Sequence, residues 1–252
     1  MSQRLHVDGR TCWLDADLPT VAENLALDEA LLADAHDGLL TGSVVRTWMA
    51  RAPTVVLGSS SHVEQEIDLD TCRSRGVQVL RRPSGGLTVV LGPGCVMWSV
   101  IAPTPESTPS IERIHAAMLD PLCAALVVAG RAVVRRGSSD LAVAVDGIER
   151  KVSGNALRVR RQAVLYHGTL LDDFDLDLIS QVLRHPPREP GYRAGRDHAA
   201  FVANLGLGRG PLEAAVRQAF GADTLRRNWP EEHVASLVRD RYLDVAWTHR
   251  LP

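Results

Sequence analysis

Between residues 44 and 102 the chain reads as five short β-type runs: Val44 to Trp48, Thr54 to Leu57, Val77 to Arg82, Thr88 to Leu91 and Val96 to Ala102. Glycine or proline punctuates most of the gaps. Strands this short need a partner layer, so the flanking helix signals matter. Thr20-Val21-Ala22-Glu23 fits a capping box opening a helix that carries Val21, Leu25, Leu31 and Leu32 and ends near Gly38. A second helix is predicted over about Ser110 to Val128. Strand-like Ala132 to Arg135 and Leu141 to Val145 follow, then a turn at Asp146-Gly147 and further strands through Leu171. A helix over Asp175 to Leu183 is stopped by His185-Pro186-Pro187, and two more fall near Leu212 to Phe220 and Glu231 to Arg239. Strands in the middle with helices outside predict an α/β protein of the α+β type, a mixed β-sheet flanked by helices.

At 252 residues the chain fits one large domain, or a main domain with a small appendage, and no repeat or linker divides it. Its 45% apolar and 23% charged residues are ordinary for a globular protein. A net charge of −2 gives no support to a nucleic-acid-coating role. The longest apolar stretch, Ala124 to Gly130, is too short to span a bilayer, and Arg131 follows it. The segment Met1 to His6 lacks the apolar core of a signal peptide, so a cytoplasmic protein is expected. Cysteines at 12, 72, 95 and 123 form no C-x-x-C pair, which argues against a zinc knuckle or a disulfide framework.

One residue type is almost missing. Of 28 basic side chains, Lys151 is the only lysine. A position that stays lysine against such a drift to arginine suits a need for a compact, flexible point charge. It opens Lys151-Val152-Ser153-Gly154-Asn155-Ala156, a small and polar stretch followed by Arg158, Arg160 and Arg161. The reading is a site for a negatively charged ligand; the alternative is a lysine that survived by chance.

Other segments carry two readings each. In Arg81-Arg82-Pro83-Ser84-Gly85-Gly86 the two glycines let backbone amides approach a ligand, and the arginines complement an anion. The same pattern also serves a plain hairpin turn. Asp140, at the entrance of a strand, is placed to hold a magnesium ion or an amine or hydroxyl of a ligand, or simply to cap the turn. His167 lies in an apolar run where a histidine is commonly a core residue, and Arg193 to Arg196 read as a solvated loop. There is no G-x-x-x-x-G-K-[ST] loop, H-E-x-x-H, G-x-S-x-G or dinucleotide fingerprint.

Together, Asn24 to Leu32, Arg81 to Gly86, Gly92 to Cys95, Ser139-Asp140-Leu141, Arg150 to Ala156 and His167 to Leu171 resemble the lipoate–protein ligase and octanoyltransferase family, related to biotin–protein ligases. The resemblance implies a single catalytic domain over residues 1–252, like the cores of class II aminoacyl-tRNA synthetases, with no separate C-terminal accessory domain. It implies ATP and Mg2+, lipoate or octanoate as the acid, and acyl-AMP as intermediate. The acceptor is a lysine on a lipoyl carrier domain of dehydrogenase E2 or glycine-cleavage H-type proteins, with no nucleic acid or membrane partner. By motif, Lys151 reaches the acyl carbonyl and α-phosphate. Arg82, Ser84, Gly85 and Gly86 line the acyl-phosphate region. Asp140 lies by the adenine, Ser153, Gly154 and Ala156 form its wall, and His167 closes the acyl pocket. No resident metal site is assigned, Asp140 being the one candidate ligand.

The chain departs from the family at Leu87, where a third glycine is common, and at Leu91, where histidine or glutamine is common. These departures keep open a non-catalytic or partner-dependent lipoate-binding protein, the partner being a separate accessory chain. A cysteine-dependent octanoyl or lipoyl amidotransferase is the other alternative. The positions where such an enzyme holds its nucleophile have no cysteine, leaving only Cys95 near the motifs.

Overall fold

The structure, a computed structural model, describes residues 10–104 and 109–251. The Met1 to His6 reading lies outside the described residues. Strand β1 (Cys12–Leu14) leads into α1 (Val21–His36), then β2 (Val44–Met49) and β3 (Thr54–Leu57). The capping box is formed: Glu23 N donates to Thr20 Oγ1 (3.2 Å) and Thr20 N to Glu23 Oε2 (2.8 Å). The gap before the next strand holds two short helices that periodicity did not show, α2 (Val63–Glu66) and α3 (Leu69–Ser74). Asp68 caps the second through Thr71 N. Next come β4 (Gln78–Arg81), β5 (Val89–Leu91), β6 (Cys95–Pro103) and α4 (Ile111–Val128). The meander β7 (Val133–Arg136), β8 (Asp140–Val145), β9 (Ile148–Arg160) and β10 (Ala163–Leu171) follows. Then come α5 (Leu176–Val182), α6 (His198–Phe201), α7 (Arg209–Phe220), β11 (Thr224–Arg226), α8 (Glu231–Leu237) and α9 (Val245–Thr248).

The expected mixed sheet flanked by helices is present, and a second, smaller sheet accompanies it among the described residues. A mixed eight-stranded sheet runs β11-β1-β2-β6-β10-β9-β8-β7, and a small sheet runs β4-β3-β5. β3 pairs with β4 through Thr54–Leu57 and with β5 through Thr54–Val56, while the long β6 pairs with β2 and β10.

Alternation along the strands divides the core in two. On β6, Cys95, Met97 and Ile101 face one cluster with α1 and the small sheet, while Val96, Trp98 and Val100 face a second cluster with α4 and α7. On β10, Ala163, Leu165 and Leu171 take the first side and Val164, Tyr166 and Leu170 the other. His167 and Thr169 therefore point toward the α1 side, at the level where a cavity opens between the sheets. No helix among the described residues is long and apolar enough to cross a membrane.

Candidate active site

A β-bulge sets the direction of Lys151. Asp140 pairs with Gly154 and Leu141 with Ser153, but Ala142 then pairs with Lys151. Unbroken register would put Lys151 opposite Val143, whose side chain faces the α4 cluster. The extra residue, Val152, goes into that cluster instead, and Lys151 joins the face of Ala142 and Asp140. Its Nζ lies 2.8 Å from Asp140 Oδ1, and Tyr192 OH donates to Asp140 Oδ2 at 3.0 Å. Burial, reinforced by the Asp140 charge, holds the Tyr192 phenol well above its usual range, so it remains a donor.

The cavity beside Lys151 has a volume of about 450 Å³. One end is apolar, with Leu25, Val56, Leu91 and Met97; the other is polar, with Ser139, Asp140 and Asn155. A smaller cavity of about 130 Å³, with Val90, Leu171, Ile179 and Phe201 in its wall, shares Lys151, Gly154 and Arg188 with the first. Lys151 thus stands where an apolar compartment, a polar compartment and a second slot meet.

Behind the wall runs a chain of buried polar groups. Arg46, on β2, donates to Asp28 Oδ1 at 2.8 Å, and Ser99, on β6, donates to the same oxygen at 2.9 Å. Burial alone would raise the Asp28 pKa, but Arg46 and His167 outweigh it and hold the carboxyl below the usual carboxylate range. His167 Nδ1 lies 3.6 Å from Asp28 Oδ2, an electrostatic contact rather than a hydrogen bond. On its other side, His167 Nε2 is 2.6 Å from Ser84 Oγ. Arg82 Nε donates to the same oxygen at 3.0 Å. His167 lines the cavity with both nitrogens turned toward protein partners.

The sequence candidates are brought together with altered duties. Arg82 sits at the cavity edge, but its guanidinium faces the protein: Nη1 donates to Val56 O at 3.1 Å, and Nη2 to Gly85 O at 2.6 Å and Leu87 O at 2.9 Å. Burial lowers its pKa to about 10, so it stays charged at neutral pH and acts as a clasp on the double-glycine loop. Gly86, at φ +87°, lines the cavity, and its carbonyl lies so close to Gly58 that a Cβ there would be 1.9 Å away. Gly154, Ala156 and Asp140 line it too. Ser84 and Ser153 are fully buried, Ser153 Oγ accepting from Asn155 Nδ2 at 3.0 Å. Arg193 is not solvated as expected: it is buried, 3.4 Å from Glu189 and over the Phe201 ring. Arg188, Tyr192 and Asn155 carried no role in the sequence reading. Of the three, only Arg188 gave a usable signal, as an arginine beside the Pro186-Pro187 stop.

The described residues assign no resident metal site. The described residues hold no group of three His, Cys, Asp or Glu able to bind a metal, and both Asp140 oxygens already have partners. Cys95 is fully buried in β6, and burial alone pushes its thiol up to about 12.

Lys151 on its bulged strand and Gly86 of the double-glycine loop thus line one cavity of a mixed-sheet fold. The lipoyl protein ligase A/B catalytic domain model matches residues 20–220, and the chain belongs to that family of enzymes. It is similar to the bipartite lipoate protein ligase of Thermoplasma acidophilum, described with its E2 lipoyl domain, at 22% identity and TM-score 0.80 over 98% of each chain. A lipoate-protein ligase A bound with ATP gives 22% identity and TM-score 0.80, over 97% of this chain and 100% of that one. LipL1 of P. falciparum in complex with lipoate gives 17% identity and TM-score 0.74, over 95% and 74%. At such identities the likeness is one of fold.

Proposed function

We propose that the protein joins lipoate or octanoate to ATP, giving acyl-AMP and pyrophosphate, and passes the acyl group to a lysine of a lipoyl carrier domain. The observation that carries this is the position of Lys151, whose ammonium is held by Asp140 where the apolar and polar compartments meet. The acyl tail takes the Leu25, Val56, Leu91 and Met97 end, and its carboxylate comes to Lys151. A carboxylate oxygen attacks the α-phosphorus, the α–β bridging P–O bond breaks, and its electron pair leaves with pyrophosphate. Lys151 offsets charge on the carbonyl oxygen and α-phosphate, more strongly where water is excluded. In the second step the neutral carrier amine attacks the carbonyl and AMP leaves. In this reading the purine goes to the smaller cavity of about 130 Å³, which shares Lys151 with the first.

The ATP and lipoate complexes of the two relatives, and the E2 lipoyl domain of the third, support this assignment. Incubating the protein with ATP, lipoate or octanoate, and an isolated lipoyl carrier domain should add one acyl group to the carrier's lysine, read by mass spectrometry. No mass gain with either acid would refute it. The bipartite T. acidophilum relative is what favours the partner-dependent alternative, in which a second chain restores that gain. The thioester route has no support from the site, because Cys95 is buried behind the cavity wall and held as a thiol.

A further inference from the structure

All but one of the charged side chains lining the two cavities have a polar partner among the described residues. Among the cations, Lys151 is neutralised by Asp140 and Arg193 by Glu189. The Arg82 guanidinium is committed to Ser84 Oγ and to the carbonyls of Val56, Gly85 and Leu87. Arg184, which reaches the smaller cavity only, is anchored through Nε to Ile67 O at 3.0 Å. Among the anions, Glu66 accepts from Ser61 Oγ and from the backbone and hydroxyl of Thr88. Arg188 is left over. It lines both cavities, is exposed, and makes no hydrogen bond or ion pair with the described residues.

The resemblance gives the acyl-phosphate region to Arg82, and here that guanidinium is committed to protein oxygens; its neighbour Arg81 lines neither cavity. Arg81 is buried and donates to Thr248 O, Gly58 O and Ser61 O. A guanidinium with no partner of its own, at the junction of the two cavities, suits bidentate contact with a triphosphate. We propose that Arg188 binds the β- and γ-phosphates of ATP and stabilises the charge that builds on pyrophosphate as the α–β bond breaks. It is a substrate-contacting residue that Lys151 does not duplicate, since the lysine serves the α-phosphate and the carbonyl. This rests on the ligase reading.

Direct titration of the full chain with ATP and, separately, with AMP tests it. Arg188→Gln should weaken ATP binding roughly tenfold to a hundredfold, the loss of one charge-assisted contact, and leave AMP binding within about twofold. Arg188→Lys should recover part of the ATP affinity. Equal weakening of both nucleotides would put the guanidinium on the α-phosphate or the nucleoside and overturn the assignment. Unchanged ATP binding would overturn it as well. Wild-type pyrophosphate exchange reports on the ligase reading independently: a chain that binds ATP through Arg188 but exchanges nothing fails as a ligase and not in this contact.

Discussion

Lys151 Nζ and Asp140 Oδ1 stand 2.8 Å apart across a bulged strand pair, with Tyr192 OH on the other carboxylate oxygen. The carboxylate aims the ammonium, and the phenol fixes the carboxylate. On the proposed reaction an incoming acyl phosphate would compete with Asp140 for the ammonium, making the pair a preorganised cation. The side chains are only partly buried, 28% and 12% exposed, which leaves Lys151 reachable from the cavity.

Gly154 is where this geometry is most easily disturbed. A Cβ there would lie 2.9 Å from Lys151 Nζ and 3.0 Å from Cε, the far end of a flexible side chain that can swing aside. Gly154→Ala should therefore fold normally, with an unchanged melting temperature. Acyl transfer to a carrier should drop roughly tenfold or more, because the ammonium is displaced from its aimed position. Full activity in that variant would show that the position of Lys151 is not critical.

The Asp28–Arg46 pair sets an acid limit on stability. The Asp28 pKa is held down in the folded state, so its contribution is present above the carboxyl's unfolded pKa and is lost as pH falls through the lower folded value. Wild-type melting temperature should fall steeply on acidification below about pH 4, the unfolded carboxyl value. In Asp28→Asn, that part of the pH dependence should vanish. The variant should be less stable at neutral pH by about 3 kcal/mol, since buried Arg46 loses its counter-charge. Parallel thermal melts across pH check both effects.

Cysteine chemistry should be dispensable. With Cys95 buried and its thiol pushed up to about 12, alkylation of the native protein should leave acyl transfer intact. Cys95→Ala should keep its turnover at a temperature where it remains folded. Loss of transfer in a folded Cys95→Ala chain would revive the thioester route.

Much of this was legible in the chain. The capping box, the strand runs and the long helix appear within a residue or two of their expected ends, because each is encoded by local periodicity and breakers. The solitary lysine and the double-glycine segment do meet in one cavity. What could not be read was register. A one-residue bulge at Val152 decides which face Lys151 takes, and nothing in the local sequence announces it. The same limit hid the fate of the arginines. Arg82 and Arg193 look like surface cations in the sequence, yet the fold buries them, Arg82 against Val56 O from a distant strand and Arg193 over the Phe201 ring, while Arg188 stays open. The Asp28–His167–Ser84 chain joins residues from three remote segments and had no local signal at all.

The most direct measurement is lipoate- or octanoate-dependent ATP–pyrophosphate exchange, run side by side on the wild type and on Lys151→Met. Exchange is expected only when the acid is present, and it should disappear in the substituted chain while its circular dichroism and melting temperature are retained. Exchange that survives in Lys151→Met, or a wild-type chain that binds the acid yet exchanges nothing, would contradict adenylation at this lysine.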